Sequence, residues 1–265
     1  VNNVTVNLTV MALIVLGGLG FVVLQDVAGT WILGRRRALS LHAKGVLTTT
    51  LCLILIGAGI FFLFEHRAAY AALRLPHKIM AAFFQSITPR TAGFDTVSQA
   101  GLTISSKMLT LLWMFIGGAS GSTAGGIKVN TFFIVTMLAV RGTDPRSEVS
   151  VFNRKISAKT VDNAVIFCLK ALMLLFAAAF LLTVTERWFA RREMLFIELV
   201  FETFSAFGTV GLSLGITPHL SAAGKLIVIA TMFMGRVGLL ALAIPAARRI
   251  PVHVLDYPQE EVMVG

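Results

Sequence analysis

Charge is scarce in this chain of 265 residues: 14% are Asp, Glu, Lys or Arg, against about 25% in an ordinary soluble domain. Apolar residues fill the gap at 56%, and mean hydropathy is +0.83. That excludes a soluble globular domain and describes a polytopic membrane protein, in which charges are thinned out of long apolar runs. Cysteine is nearly absent. Cys52 and Cys168 both lie in apolar runs, so no disulfide framework or zinc site is expected, and both read as small buried hydrophobes. The five histidines (His42, His66, His77, His219 and His253) fall near the ends of apolar runs or between them. With no His, Cys or carboxylate cluster at membrane depth, a membrane-embedded enzyme lacks its catalytic set.

Acidic residues are outnumbered 13 to 23, giving a net charge of +10. In a soluble protein that excess would point to nucleic acid. Here Lys and Arg sit mostly between apolar runs, without interleaved aromatics, and read as topology determinants. No nucleic-acid partner is expected; the partner is the lipid bilayer. Val1-Asn2-Asn3 offers no basic leader, so no cleavable signal peptide is read, and the missing initiator Met makes the chain read as a fragment.

Runs of spanning length, on the order of 20 residues, occur at 8–24, 46–64, 109–140, 161–184 and 226–246. Two shorter apolar pieces, 79–87 and 194–207, lie between spans, and each leads into a polar, Gly-containing stretch and then another span. A short helix and loop between two spans is the pattern of a re-entrant segment. Five crossings put the termini on opposite sides. One set of loops, with the C-terminal tail, carries eleven Lys and Arg, the other six. That bias places the first set and the C-terminus in the cytoplasm, with both re-entrant pieces entering from outside.

The chain repeats itself. Both 46–140 and 161–246 read span, short helix, loop, span, and Thr91-Ala92-Gly93-Phe94 matches Thr209-Val210-Gly211-Leu212. Gly93 precedes Gly117 by 24 positions, and Gly211 precedes Gly235 by the same 24. The first span carries Gly17-Gly18 as the third carries Gly117-Gly118, so it fits as the end of an earlier unit whose loop would lie upstream of Val1.

Matched Thr-x-Gly-x loops suit an ion filter. A cation crossing a membrane needs its hydration shell replaced, which backbone carbonyls do without a full charge. Glycine permits the φ > 0 that such a backbone needs, and a short helix ending before the loop aims its negative dipole end at the ion. The rival expectation is an extracellular loop with ordinary glycine turns, which Thr88-Pro89-Arg90 alone would fit.

The third run is interrupted by Gly117-Gly118-Ala119-Ser120-Gly121-Ser122-Thr123-Ala124-Gly125-Gly126, five glycines in ten residues. At about 1 kcal/mol each they disfavour helix strongly, and unwound backbone survives at membrane depth only when buried in protein or lining a water-filled cavity. A loop of this kind beneath a filter would act as a gate. Gly-x-x-x-Gly helix packing explains part of the pattern but not five glycines with Ser and Thr. A phosphate loop fails because Ile127 stands where Lys is required, and a nucleophile elbow fails because Gly118-Ala119-Ser120-Gly121 is one residue short. Arg236, one residue after Gly235 in mid-span, matches Gly118 in register. An intramembrane Arg is costly unless it faces polar surroundings, so it is expected to face the pore and bond carbonyls of the 117–126 loop, where its charge would raise the barrier for cations. Lys128 and Lys170, nearer helix ends, read as snorkelling. Glu198 and Glu202, one turn apart on the second short helix, either attract cations at the outer mouth or cap and pack that helix.

The stretches Thr88-Pro89-Arg90-Thr91-Ala92-Gly93-Phe94-Asp95-Thr96, Gly117 to Val129, and Phe204-Ser205-Ala206-Phe207-Gly208-Thr209-Val210-Gly211-Leu212-Ser213 closely resemble the Ktr/Trk/HKT superfamily of potassium transporters, and within it the KtrB-type membrane subunits. The resemblance covers essentially the whole chain. It implies an all-α polytopic membrane protein with one pore per chain, built from four unequal span–pore helix–span repeats. On that reading 1–30 is the last span of the second repeat and 44–140 the third repeat. A cytoplasmic loop follows at 141–159, the fourth repeat at 160–247, and a cytoplasmic tail at 248–265. The filter glycines would be Gly93 and Gly211, the gating loop 117–126, and Arg236 the final-span arginine facing it, with K⁺ held by backbone carbonyls and no cofactor in this chain. The resemblance also implies a homodimer in a bacterial inner membrane, seated on cytoplasmic nucleotide-binding regulatory subunits of the KtrA/TrkA type. The loop 141–159 and the tail 252–265 would be candidate contacts. Gly238-Leu239-Leu240 departs from the expected Gly-Pro-Leu, which predicts a straighter last span. The expected function is potassium uptake into the cytoplasm, gated by the intramembrane loop. The rival is a secondary transporter of another cation or small solute built on broken helices.

Overall fold

The computed structural model describes residues 3–32, 39–142, 149–191 and 193–237. Gly238-Leu239-Leu240, the end of the last span and the tail 248–265 lie outside the described residues, as do 143–148 of the basic loop. Two apolar runs form long helices, α3 (Leu41–Glu65) and α7 (Ala158–Val184), each long and apolar enough to cross a membrane. α3 starts at Ser40, whose hydroxyl accepts from the Ala43 N–H at 3.1 Å, satisfying one of the donors a helix start leaves open. Their outward faces present Leu51, Leu55, Phe176 and Phe180, all exposed, as a hydrocarbon surrounding requires. Cys52 shares that surface and Cys168 is half-buried. This corrects the expectation of buried cysteines: a lipid-facing position is as apolar as a core one, so the sequence does not separate them.

The first run is not one span. α1 (Val4–Leu19) and α2 (Phe21–Val27) meet at 98°, with Gly20 between them at φ +76°. The apolar run hides the break because a single residue makes it. The third run divides as expected, into α5 (Ile104–Phe115) and α6 (Val129–Arg141), around non-helical residues 116–128. The short pieces form α4 (Leu75–Ile87) and α8 (Phe196–Gly208), 13 residues each, about 20 Å long and too short for a ~30 Å hydrocarbon core. The described part of the last span is α9 (Ala222–Val237). A two-stranded hairpin, β1 (Val149–Val151) and β2 (Arg154–Ile156), interrupts the all-helical expectation and packs through Val149, Val151 and Ile156 on Phe133 of α6 and Val161 of α7.

The repeats pack in sequence, each pore helix on the second span of the unit before it. α4 sits on α1 through Met80, Phe84, Ile87 and Met11. α8 and its loop sit on α5 through Phe201, Val210, Leu212, Leu111 and Met114. Met11 and Leu111 each stand six positions before the paired glycines of their spans, so one packing step is used twice.

One buried carboxylate closes each repeat. Glu65, at the end of α3, accepts from the Thr103 N–H at 2.9 Å and its hydroxyl at 2.6 Å. Glu186, just past α7, accepts from the Ser221 N–H at 3.0 Å and its hydroxyl at 2.6 Å. Both are fully buried, and Thr103 and Ser221 begin the second spans 118 positions apart, the offset of Gly93 and Gly211. Each thereby supplies negative charge at a helix N-terminus, where the dipole favours it. Tyr70, buried beside Glu65, has its phenol pushed above the usual range by burial and by that carboxylate.

Candidate functional site

The two Thr-x-Gly loops share positive φ at matched positions. Thr91 has φ +68° and Gly93 +75°; Thr209 has φ +48° and Gly211 +93°. A β-branched residue with positive φ is a strained outlier, costing about 1–2 kcal/mol, and here it recurs at matched positions. In repeat four the strain is set by how α8 ends. Thr209 donates its N–H to the Ala206 carbonyl at 2.9 Å and Val210 to the Ser205 carbonyl at 2.8 Å. This is a left-handed helix cap with Thr in glycine's usual place. In repeat three Ala92 donates to the Thr88 carbonyl at 3.1 Å, and the Thr88 hydroxyl donates to the Phe94 carbonyl.

The loops meet face to face. A Cβ added to Gly93 would lie 2.2 Å from the Val210 carbonyl oxygen and 3.2 Å from the Gly211 Cα. Only glycine permits that approach. The side chains differ: Leu212 is buried and Phe94 is 60% exposed.

Directly against the fourth loop lies the interrupted segment. A Cβ on Gly125 would meet Thr209 Oγ1 at 2.5 Å and the Gly208 carbonyl at 2.7 Å. Its backbone is satisfied from several sides, as unwound chain at membrane depth must be. Gly117 donates to the Ile127 carbonyl at 2.8 Å, Val129 to the Gly118 carbonyl at 3.0 Å, and Ala119 to the Gly18 carbonyl at 2.8 Å. Phe21 donates to the Gly121 carbonyl at 3.4 Å, so the break in the first span and the break in the third hold each other. Gly20 is needed there, because a Cβ would lie 2.8 Å from the Ser120 carbonyl. Asn130 on α6 donates to Ser120 Oγ and contacts His42 Nδ1, both at 3.1 Å.

Arg236 reaches a different partner from the expected one. Its guanidinium donates to Thr209 Oγ1 at 3.4 Å, and among the described residues it bonds no carbonyl of 117–126. Thr209 therefore stands between Arg236 and Gly125, so the arginine touches the Thr209 loop rather than the 117–126 segment. Lys128 also departs from its expected snorkelling: its ammonium donates to the Ala124 carbonyl and helps hold the interrupted loop. Glu202 accepts from the Ser213 hydroxyl at 2.8 Å and the Thr217 hydroxyl at 2.6 Å, and Glu198 accepts from the Leu195 N–H at 3.0 Å. Glu198 thus caps α8, and Glu202 ties that helix to the 213–217 stretch. In repeat three the matching clasp is uncharged: Gln85 and Gln99 exchange amide hydrogen bonds at 2.9 and 3.1 Å.

These loops carry carbonyl and hydroxyl oxygens at membrane depth, the donor set of a hard monovalent cation's path. A family model of cation transport proteins, TrkH, matches residues 1–255. The chain belongs to the TrkH family of cation transport proteins. As a member of that family with these apolar helices, it lies in a membrane. It is 38% identical to Ktr system potassium uptake protein B of Bacillus subtilis over 100% of this chain and 58% of that protein. It is 36% identical to the potassium/sodium uptake protein NtpJ of Enterococcus hirae, over 99% of this chain and 58% of that one. The crystal structure of the potassium transporter TrkH from Vibrio parahaemolyticus matches with a TM-score of 0.74 over 94% of this chain and 53% of that chain, at 18% identity; at that identity the shared property is the fold. The chain thus spans a little over half the length of the relatives it matches.

The TrkH-family motifs in this chain gave no hint of Glu65, Glu186 or the clasp made by Glu202. Each looks in sequence like a charge at the edge of an apolar run. The signal that would have found the first two is a Thr or Ser placed to start the next span at the repeat offset.

Proposed function

We propose that the protein takes up potassium across a bacterial inner membrane, through a channel-like pore whose third and fourth filter segments are Thr91-Ala92-Gly93-Phe94 and Thr209-Val210-Gly211-Leu212. The observation that carries this reading is the left-handed backbone at Thr91 and Gly93, repeated at Thr209 and Gly211, in loops that touch. Two β-branched residues held in a costly conformation at matched positions indicate a selected backbone rather than ordinary turns. K⁺ would be bound by carbonyls of those residues, with the C-terminal ends of the short helices directed toward it.

The segment 117–126 is the gate in this reading, and Arg236 acts through Thr209, at the junction of gate and filter. The Arg236 charge opposes cation passage until the junction moves. Ktr relatives are named as members of a system, which supports a regulatory partner subunit; in this reading that partner is cytoplasmic and carries a nucleotide site, the chain forms a homodimer, and its C-terminus is cytoplasmic. The potassium/sodium name of the Enterococcus hirae relative makes sodium the second cation to test. The test is growth on limiting K⁺ of bacteria stripped of their own uptake systems, expressing the full-length protein with its regulator beside Gly93→Ser and Gly211→Ser variants. Wild type restores growth, and both variants need much more K⁺. Rescue by both variants equal to wild type would reduce the loops to ordinary turns.

A further inference from the structure

We propose that the cleft between α3, α6 and the hairpin is a binding site for one anionic phospholipid, with an acyl chain in the cleft and the phosphate at Arg141 and Lys44. The cleft has a cavity volume of about 520 Å³, within the range of small-molecule sites. Its walls are apolar, with Leu53 and Ile56 from α3, Leu112 and Ile116 from the α5 side, and Phe132 and Met137 from α6. The surface around its mouth is apolar as well, since Leu51, Leu55, Ile56 and Leu112 are more than half exposed. The cleft therefore opens sideways, toward hydrocarbon.

One end is different. Arg141 and Phe152 close the cleft at the hairpin. The exposed Arg141 guanidinium gives one N–H to the Ser150 carbonyl at 2.9 Å, of the five N–H donors a guanidinium carries. The Lys44 ammonium lies 6.0 Å from the Phe152 ring centroid, and Phe152 stacks at 10° on Phe133. Among the described residues, no carboxylate lines the cleft. An apolar slot in the membrane plane with two cations at one end, on the side of the basic loops, has the charge and shape of an acidic phospholipid. Cationic pockets between spans on that side recruit such headgroups.

The site matters to the pore because of what its walls lead into. Ile116 and α6 flank the interrupted segment on both sides, so an acyl chain in the cleft braces both ends of 117–126.

The test is lipid retention. Full-length protein extracted in mild detergent from membranes holding phosphatidylglycerol and phosphatidylethanolamine is analysed by native mass spectrometry, so the readout is independent of whether potassium is transported. Wild type keeps phosphatidylglycerol in preference to phosphatidylethanolamine. Arg141→Gln lowers that retention about fivefold, and Lys44→Gln with Arg141→Gln about 25-fold, at roughly a fivefold factor for each cation at the membrane surface. Thr136→Trp, which fills the cleft and leaves both charges, lowers it too, as general surface attraction would not. Unchanged retention in the double variant overturns the proposal. So does displacement of the lipid by glycerol phosphate, which would make the site one for a soluble anion, or a change of oligomeric state in the variants with no change in lipid, which would make the cleft an interface between copies.

Discussion

Repeats three and four bend their loops at the same two positions and hold them differently. Loop three is clasped by two amides, Gln85 and Gln99, and its buried Arg90 donates to the Thr50 hydroxyl on α3 at 3.2 Å. Loop four is clasped by the Glu202 carboxylate, and Gly208 stands where loop three has Arg90. Having no side chain there lets the Met114 carbonyl of the preceding repeat approach to 2.6 Å from where a Cβ would be. Loop four is therefore the one pressed onto its neighbours. Its base, Thr209, meets both Gly125 and Arg236, whereas Thr91 meets neither. The matched positive φ values fit the proposed filter task, and among the described residues it is loop four that meets the proposed gate.

The sharpest way to break this comparison is at the two glycines. Alanine at Gly93 would drive a Cβ into the Val210 carbonyl, whereas alanine at Gly211 meets the Gly93 Cα at an ordinary 3.6 Å and suffers mainly from its positive φ. The first change therefore adds an overpacking cost of about 1–3 kcal/mol to the left-handed penalty of about 1–2 kcal/mol that both share. Rubidium uptake by Gly93→Ala should fall about tenfold further than uptake by Gly211→Ala, a factor worth about 1.4 kcal/mol. Equal losses would mean that the loops do not touch as described.

The clasps offer a second test. Gln85 is 3% exposed and faces only Gln99 and Thr110. A carboxylate there has no cation to pair with, so Gln85→Glu should cost about 3 kcal/mol or more. Glu202→Gln leaves one neutral acceptor where two hydroxyls had a charged one, and should cost about 1–3 kcal/mol. Thermal unfolding of the full-length protein in detergent ranks the two. A larger loss from Glu202→Gln would show that the charge, rather than burial, dominates these clasps.

Much of the fold could be read in advance because membrane folds are written in long runs and repeated glycines. The 24-residue Gly spacing located both loops, and five glycines located the interrupted segment. What stayed hidden is local chemistry that sequence expresses weakly. Gly20 breaks the first span inside an unbroken apolar run, and only its contact with Ser120 and Gly121 explains it. The hairpin turns through Phe152 and Asn153, both left-handed, where Asn-Gly is the usual signal; Phe is held there by stacking on Phe133. A register argument sets Arg236 level with Gly118 but does not fix the direction of its side chain, so its partner Thr209 was missed.

The smallest expected effect tests the asymmetry at its centre. Thr91→Val and Thr209→Val remove one hydroxyl each and keep the β-branched shape, so left-handed strain is the same in both. Only at Thr209 does the hydroxyl have a charged partner, Arg236, at a long 3.4 Å. A hydrogen bond of that length is worth about 1 kcal/mol or less, enough for a change of about fivefold. Released from Thr209, the guanidinium no longer holds its charge at the filter base. Rubidium leak without the regulatory subunit should therefore rise in Thr209→Val and stay unchanged in Thr91→Val. Arg236→Gln should produce the same rise, and adding Thr209→Val to it should produce no more, because the two changes cut one interaction. Additive effects would separate Arg236 from Thr209 and return the arginine to a direct contact with the 117–126 loop.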